Sequence, residues 1–341
     1  MKSSWFKVLG GILWLSFVGQ AGAETISSFY SQPDYDRWSY MYNGTPGTRS
    51  VGSTFSAYGS DYDFDDRDGQ VLLGWVTVDI PTGLPASAYR VTSMSVDIAT
   101  ASDDIHYDPT LDDPQTHEVD GLEDEDPGRP VCLSGVGFRN GFDAETFGET
   151  GEHPFGAPRG LRNTYALGYT ADGDPIDISN NLTEGFDPTY FAVGFNNELT
   201  PGDLIPELGR LTFEVDVDDP YIACYLSESL SFGTLDVMVS SLHPASQPGS
   251  GGSSNYPDWM LKEHPLVDIG VVDGATLIIE VEVIEPSGVP GDTNGDAATN
   301  VDDLLNVLGD FGPCPCCPTD FDGDGLVNVD EVLSVIGSWT G

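Results

Sequence analysis

From about Val71 onward, short runs rich in Val, Ile, Phe and Thr recur along the chain, each closed by Gly, Pro, Asn or Asp. QVLLGWVTVDI, YRVTSMSVDIAT, YFAVGF, RLTFEVDV, LDVMVSS and ATLIIEVEVI are of this kind, and the pattern predicts strands. In FEVDV and IEVEV apolar and acidic positions alternate, which sets one strand face on a core and the other in water. Parallel strands need regular helical crossovers, and none is visible between the runs. The pattern therefore predicts a mainly β fold, an antiparallel β-sandwich with jelly-roll-like connections.

One helical pattern interrupts the strands. Asp219 can cap it, Pro220 suits its first turn, and Ile222, Tyr225/Leu226 and Leu230 share a face. Gly233 ends it, and Cys224 falls on it.

Near the C-terminus the period changes again. NVDDLLNVLGDF, from Asn300, matches NVDEVLSVIGSW, from Asn328, at an offset of 28 residues. Leu304, Leu305, Val307, Leu308 and Phe311 are expected to line one helix, and Val332, Leu333, Val335, Ile336 and Trp339 the other. Helices this short do not stand alone, so the two are expected to pack together. The stretch EPSGVPG before them reads as a linker, and SQPGSGGSSNYP as a surface loop. The boundaries are then 1–23 leader, 24–285 β-sandwich, 286–290 linker and 291–341 helical unit.

The first segment is read as a signal peptide. Lys2 and Lys7 flank the start of the apolar run VLGGILWLSFV, and Ala21-Gly22-Ala23 offers a small-residue cleavage site before Glu24. The run is too short to span a bilayer; an N-terminal helical anchor is the rival reading. The expected product is exported, either secreted or at the cell surface, with no membrane insertion.

Charge narrows the partners. The net charge is -44, from 56 acidic and 12 basic residues. Such a chain repels nucleic acid and anionic lipid, which both require Lys or Arg at phosphate. Hydrophobic content of 39% and aromatic content of 11% are too high for a disordered acidic chain, so the acid belongs on the surface of a packed core.

Each C-terminal helical run follows an acidic loop, DTNGDAAT in one copy and DFDGDGLV in the other. A calcium ion takes six to eight oxygen ligands at about 2.3–2.6 Å, and a tight loop supplies them from positions 1, 3, 5, 7, 9 and 12. The second loop offers Asp320, Asp322, Asp324, the Leu326 carbonyl, Asn328 and Glu331, with Gly325 at the sharp turn of position 6. The first offers Asp292, Asn294, Asp296, the Ala298 carbonyl, Asn300 and Asp303. There Ala297 replaces the glycine, so two calcium ions are expected, the second loop holding its ion more tightly. Metal binding should be coupled to folding of this unit.

GDTNGDAATNVDDLL and TDFDGDGLVNVDEVL closely resemble the duplicated loop-plus-helix of type I dockerins, over about 50 of 341 residues. The resemblance implies an α-helical module with two EF-hand-type calcium loops that docks onto a cohesin-like or other surface receptor. It also implies assembly into extracellular polysaccharide-degrading complexes. Dockerins often use a small hydroxyl pair just after loop position nine. Both copies here carry Val-Asp, Val301-Asp302 and Val329-Asp330, which counts against a standard cohesin and leaves the calcium assignment untouched.

Of the five cysteines, Cys132 and Cys224 either bridge within the large domain or lie buried as thiols. Cys314, Cys316 and Cys317 cluster in PCPCCP, which resembles the C-P-x-C-P insert of some dockerin-like tails. That resemblance implies a Cys314–Cys317 pair with Cys316 extra. Zinc is the rival reading, but it needs about four ligands and no histidine lies near.

No catalytic set stands out in the large domain. Paired carboxylates would suit glycoside hydrolysis, but 56 acids offer too many pairs to name two. DYDFDDRD, with Asp61, Asp63, Asp65, Asp66 and Asp68, is either a further calcium loop or, as charge runs usually are, a solvated loop. The eleven acids between Asp103 and Asp126 form another acidic loop. His106, His117, His153, His243 and His264 show no metal spacing, and no G-x-S-x-G, H-E-x-x-H or P-loop occurs. Trp38, Trp75 and Trp259 are expected as core or loop anchors rather than sugar platforms.

Around QVLLGWVTVDIPTGLPASAYRVTSMSVDI the chain loosely resembles exported jelly-roll modules, many of which bind carbohydrate or act as spacers. The favoured expectation is a non-catalytic sandwich that binds a polysaccharide or matrix and docks through its tail. A dockerin-tailed glycoside hydrolase or polysaccharide lyase, and a structural surface component, are the alternatives.

Overall fold

The computed structural model describes residues 23–55, 68–102, 104–111, 128–157, 160–179, 189–241, 243 and 256–340. The strands are β1 (Glu24–Tyr30), β2 (Tyr35–Tyr40), β3 (Val51–Ser53), β4 (Gly69–Val76), β5 (Tyr89–Ala99), β6 (Val131–Phe138), β7 (Thr164–Tyr169), β8 (Pro175–Asp177), β9 (Ala192–Val193), β10 (Arg210–Glu214), β11 (Thr234–Ser241), β12 (Asp258–Met260), β13 (Thr276–Val283), β14 (Gly312–Pro313) and β15 (Leu326–Val327). The helices are α1 (Ala144–Phe147), α2 (Pro220–Phe232), α3 (Pro265–Asp268), α4 (Val301–Gly309) and α5 (Val329–Gly337).

The fold is mainly β, and every strand pairing is antiparallel. One sheet runs β1-β13-β5-β10; the larger runs β2-β4-β11-β6-β7-β8, with β9 added beside β6. Their facing sides share one core, the arrangement of a β-sandwich: Val96, Ile98, Leu277 and Ile279 meet Val71, Leu73, Leu133 and Val237. A smaller cluster, Leu72, Val136, Phe147, Ala166, Ile178 and Met238, covers the outer face of the larger sheet. This explains why QVLLGWV reads as a continuous apolar run, since both faces of β4 are buried. By contrast β13 alternates, Leu277, Ile279, Val281 and Val283 inward and the residues between them more exposed.

Five of the six predicted strand runs contain a longer strand of the fold, and the sixth, YFAVGF, contains the two-residue β9. Helix α2 has the predicted ends as well. The Asp219 carboxylate accepts from Tyr221 N and Ile222 N, and Gly233 closes the helix at φ 85°. Ile222, Leu226 and Leu230 are fully buried; each side chain of this size contributes about 1.5–3 kcal/mol.

The hydrophobic pattern misses β1, β2, β6, β7 and β8. In β6, VCLSGVGF, Gly135 and Gly137 stand where a core strand would ordinarily carry branched side chains. Aromatic rings fill those gaps: a Cβ at Gly135 would lie 2.8 Å from Phe191, and one at Gly137 would collide with Tyr165.

Candidate metal centre

The two acidic loops adopt one conformation, repeated at 28 residues. In the first, the Asp292 carboxylate accepts from Gly295 N and Ala297 N, both at 2.8 Å. Asn294 accepts from Asp296 N at 3.0 Å and Asp296 from Ala298 N at 2.8 Å. In the second, Asp320 accepts from Gly323 N at 2.8 Å and Gly325 N at 2.9 Å. Asp322 accepts from Asp324 N at 3.2 Å and Asp324 from Leu326 N at 2.8 Å. Positions 4 and 6 are left-handed in both: Gly295 and Gly323 at φ 74°, Gly325 at 82° and Ala297 at 66°. Ala297 therefore adopts the turn that its Cβ disfavours.

The last ligand positions double as helix caps. Asn300 accepts from Asp302 N and Asn328 from Asp330 N, while Asp303 and Glu331 reach back to the N–H groups of Asn300 and Asn328. Each forms a capping box, which fixes the loop to the first turn of α4 or α5. Asp303 and Glu331 are buried although both are acids.

These residues fit a hard cation. Every donor is oxygen, and one oxygen each from Asp320, Asp322 and Asp324 lies within 4.8 Å of the others. No Lys, Arg or His occurs after His264, so no basic side chain of this segment can balance the loops. At Asp322 the Asp324 N–H lowers the carboxyl pKa. Desolvation and the charges of Asp324, Glu331 and Asp320 outweigh it, and the group stands above its ordinary value.

The duplication extends to packing. Val307 and Val335, again 28 apart, are fully buried, with Leu304 and Val332 against them. Thr340 N donates to Thr299 O, and Val327 pairs with Gly312, so equivalent loop residues meet equivalent residues past each helix. The expected inward faces are corrected in part. Leu305, Leu308, Phe311, Leu333, Ile336 and Trp339 are 44–60% exposed, because two-turn helices bury only one narrow stripe each.

Cys314 and Cys317 are joined, Cα atoms 5.5 Å apart. The Cys132–Cys224 bridge is overturned: Cys224 is joined to Cys316, 92 residues on, with Cα atoms 5.0 Å apart. Cys132 is a buried thiol on β6, opposite Ser240 and Val193. Cys224 lies about 200° around α2 from Ile222, so it faces away from the core stripe and toward the tail. A cleft of about 640 Å³ separates the two parts beside this bond, lined by Arg90, Thr92, Pro220, Leu305, Asp310 and Phe311.

Elsewhere, Asp68 is no solvated acid, since it is buried and ion-paired to Arg162. Asp61, Asp63, Asp65, Asp66, His117 and most of the loop between Asp103 and Asp126 lie outside the described residues, as do residues 1–22. Trp75 and Trp259 are core residues, and Trp38 anchors β3 through Nε1–H to Ser53 O at 2.8 Å. His264 caps α3 by accepting Leu266 N, and His106 contacts Gly202 O.

Ser39 and His153 form a contact of 2.9 Å that sequence reading did not find. His153 Nδ1 accepts Asn163 N–H, so its proton sits on Nε2 and is donated to Ser39. That tautomer cannot take a proton from the hydroxyl, and burial pushes the imidazole down to about 3.

Comparison with protein-family models, with curated proteins and with solved structures returns no match to this chain.

Proposed function

We propose that this is an exported, non-catalytic β-sandwich protein that binds a carbohydrate or matrix. Its C-terminal dockerin-like module binds two calcium ions and docks it into extracellular assemblies linked to polysaccharide degradation. The observation that carries this reading is the repetition of one oxygen-donor loop. Twelve equivalent positions share hydrogen bonds, left-handed turns and capping boxes at an offset of 28 residues. Asp292, Asn294, Asp296, Asn300 and Asp303 would hold one ion, and Asp320, Asp322, Asp324, Asn328 and Glu331 the other, joined by the Ala298 and Leu326 carbonyls. Calcium would supply the countercharge that lets four acids close around one point.

The exposed apolar positions of α4 and α5 suit a docking surface, and the surrounding acids suit a receptor with a basic rim. Calorimetric titration of the whole protein with calcium is expected to show both loop sites, the second tighter. Absence of any uptake removes the metal half of the reading. Retention on a panel of insoluble glycans, with calcium present, tests the sandwich; failure on every glycan removes the carbohydrate half.

A further inference from the structure

Lys262 is the only lysine after residue 7, and three acids surround it. Its ammonium lies 2.5 Å from Glu149 Oε2, 3.0 Å from Glu263 Oε1 and 3.9 Å from Asp36 Oδ1. The acids come from distant parts of the chain: Asp36 from β2, Glu149 from the turn after α1, Glu263 from the segment after β12. One oxygen of each lies within 4.8 Å of the other two.

Asp36 is wholly buried. Its Oδ2 accepts Lys262 N–H at 2.7 Å, but Oδ1, which faces the ammonium, receives no hydrogen bond. Glu149 Oε1 and Glu263 Oε2 are also buried atoms without a donor. The nearby Arg37 guanidinium is spent elsewhere. It donates to the carbonyls of Gly148, Glu149 and Gly151 and lies 4.4 Å over the Phe147 ring. Three carboxylates against one ammonium leave two negative charges in a site that water barely reaches. Buried charges of this kind are paired or coordinate a metal.

We propose that Asp36, Glu149 and Glu263 form a separate site for a hard divalent cation, distinct from the C-terminal loops. One such ion closes the charge of the three acids and Lys262 to zero, and three carboxylates are the ligands that calcium, magnesium or manganese take. The ion ties β2, the turn after α1 and the segment after β12 together at one edge of the larger sheet. Lys262 opposes it electrostatically and sets its affinity.

The test uses the full chain with the C-terminal loops silenced by Asp292→Ala, Asp296→Ala, Asp320→Ala and Asp324→Ala. Titration with CaCl2 and, separately, MnCl2 is expected to leave one ion per chain. Glu263→Gln, at a partly exposed position, should weaken that ion at least tenfold; Asp36→Asn, which keeps the acceptor for Lys262 N–H, should do the same. Lys262→Gln should tighten it about tenfold, an effect that a mere ion-pair hub does not produce. The proposal is overturned if the loop-silenced protein, with unchanged near-ultraviolet dichroism, takes up neither ion. It is equally overturned if the residual ion ignores both acid substitutions.

Discussion

The bond between Cys224 and Cys316 makes the strongest mechanical prediction. Without it, the C-terminal unit hangs from the sandwich by residues 286–290 alone. With it, the tail is fixed to α2 at a second point, 92 residues away in sequence. Loop-closure entropy for a separation of that size gives about 4.5 kcal/mol if both cysteines belong to one cooperative unit, and typical measured values run about 2–4. For a chain this long, about 1 kcal/mol moves the melting temperature by about 2 °C, so replacing both cysteines with serine should lower it by about 4–9 °C. The more direct assay is proteolytic nicking of the 286–290 linker, followed by electrophoresis. In the wild type the tail should stay attached without reductant and separate with it; in Cys224→Ser/Cys316→Ser it should separate in both. Release of the wild-type tail without reductant, or a mapped Cys132–Cys224 peptide, refutes the reasoning.

Three further outcomes are expected. Asp320→Ala with Asp324→Ala removes three backbone-amide anchors as well as two donors; the tighter calcium event should vanish from calorimetry, while EDTA leaves the sandwich dichroism intact. Ala297→Gly relieves a left-handed alanine, at a cost of about 1 kcal/mol, and should tighten calcium at the first loop about fivefold; an unchanged titration would show that the turn is not what limits it. Burial, against the hydrogen bond from Tyr35, raises the Asp236 carboxyl to about 7. Its folded value exceeds the unfolded one, so stability present near pH 4 is lost as pH rises through 7. Asp236→Asn should be more stable than wild type by about 2–4 kcal/mol at pH 8.5 and equal to it near pH 4, read by urea melts at both pH values.

The amino-acid sequence by itself determined what rests on short-range spacing. The caps of α2, the alternation of β13 and the 28-residue repeat of the acidic loops all follow from neighbours within one turn, strand or loop. The same holds for the left-handed position 6, where the chain places Ala297 against its preference. Only the tertiary structure decided which distant residues meet. β6 carries glycines because rings from other elements fill its face, and no local pattern announces that. Half of each short helix stays exposed because only Val307, Val335 and their neighbours find a partner. Cys224 finds Cys316 because α2 turns that side of the helix outward, and Lys262 gathers Asp36, Glu149 and Glu263 because three loops converge at one sheet edge. Side-chain chemistry and local period act over a few residues and are written in order along the chain; pairing across 92 residues or more is set by how the layers close.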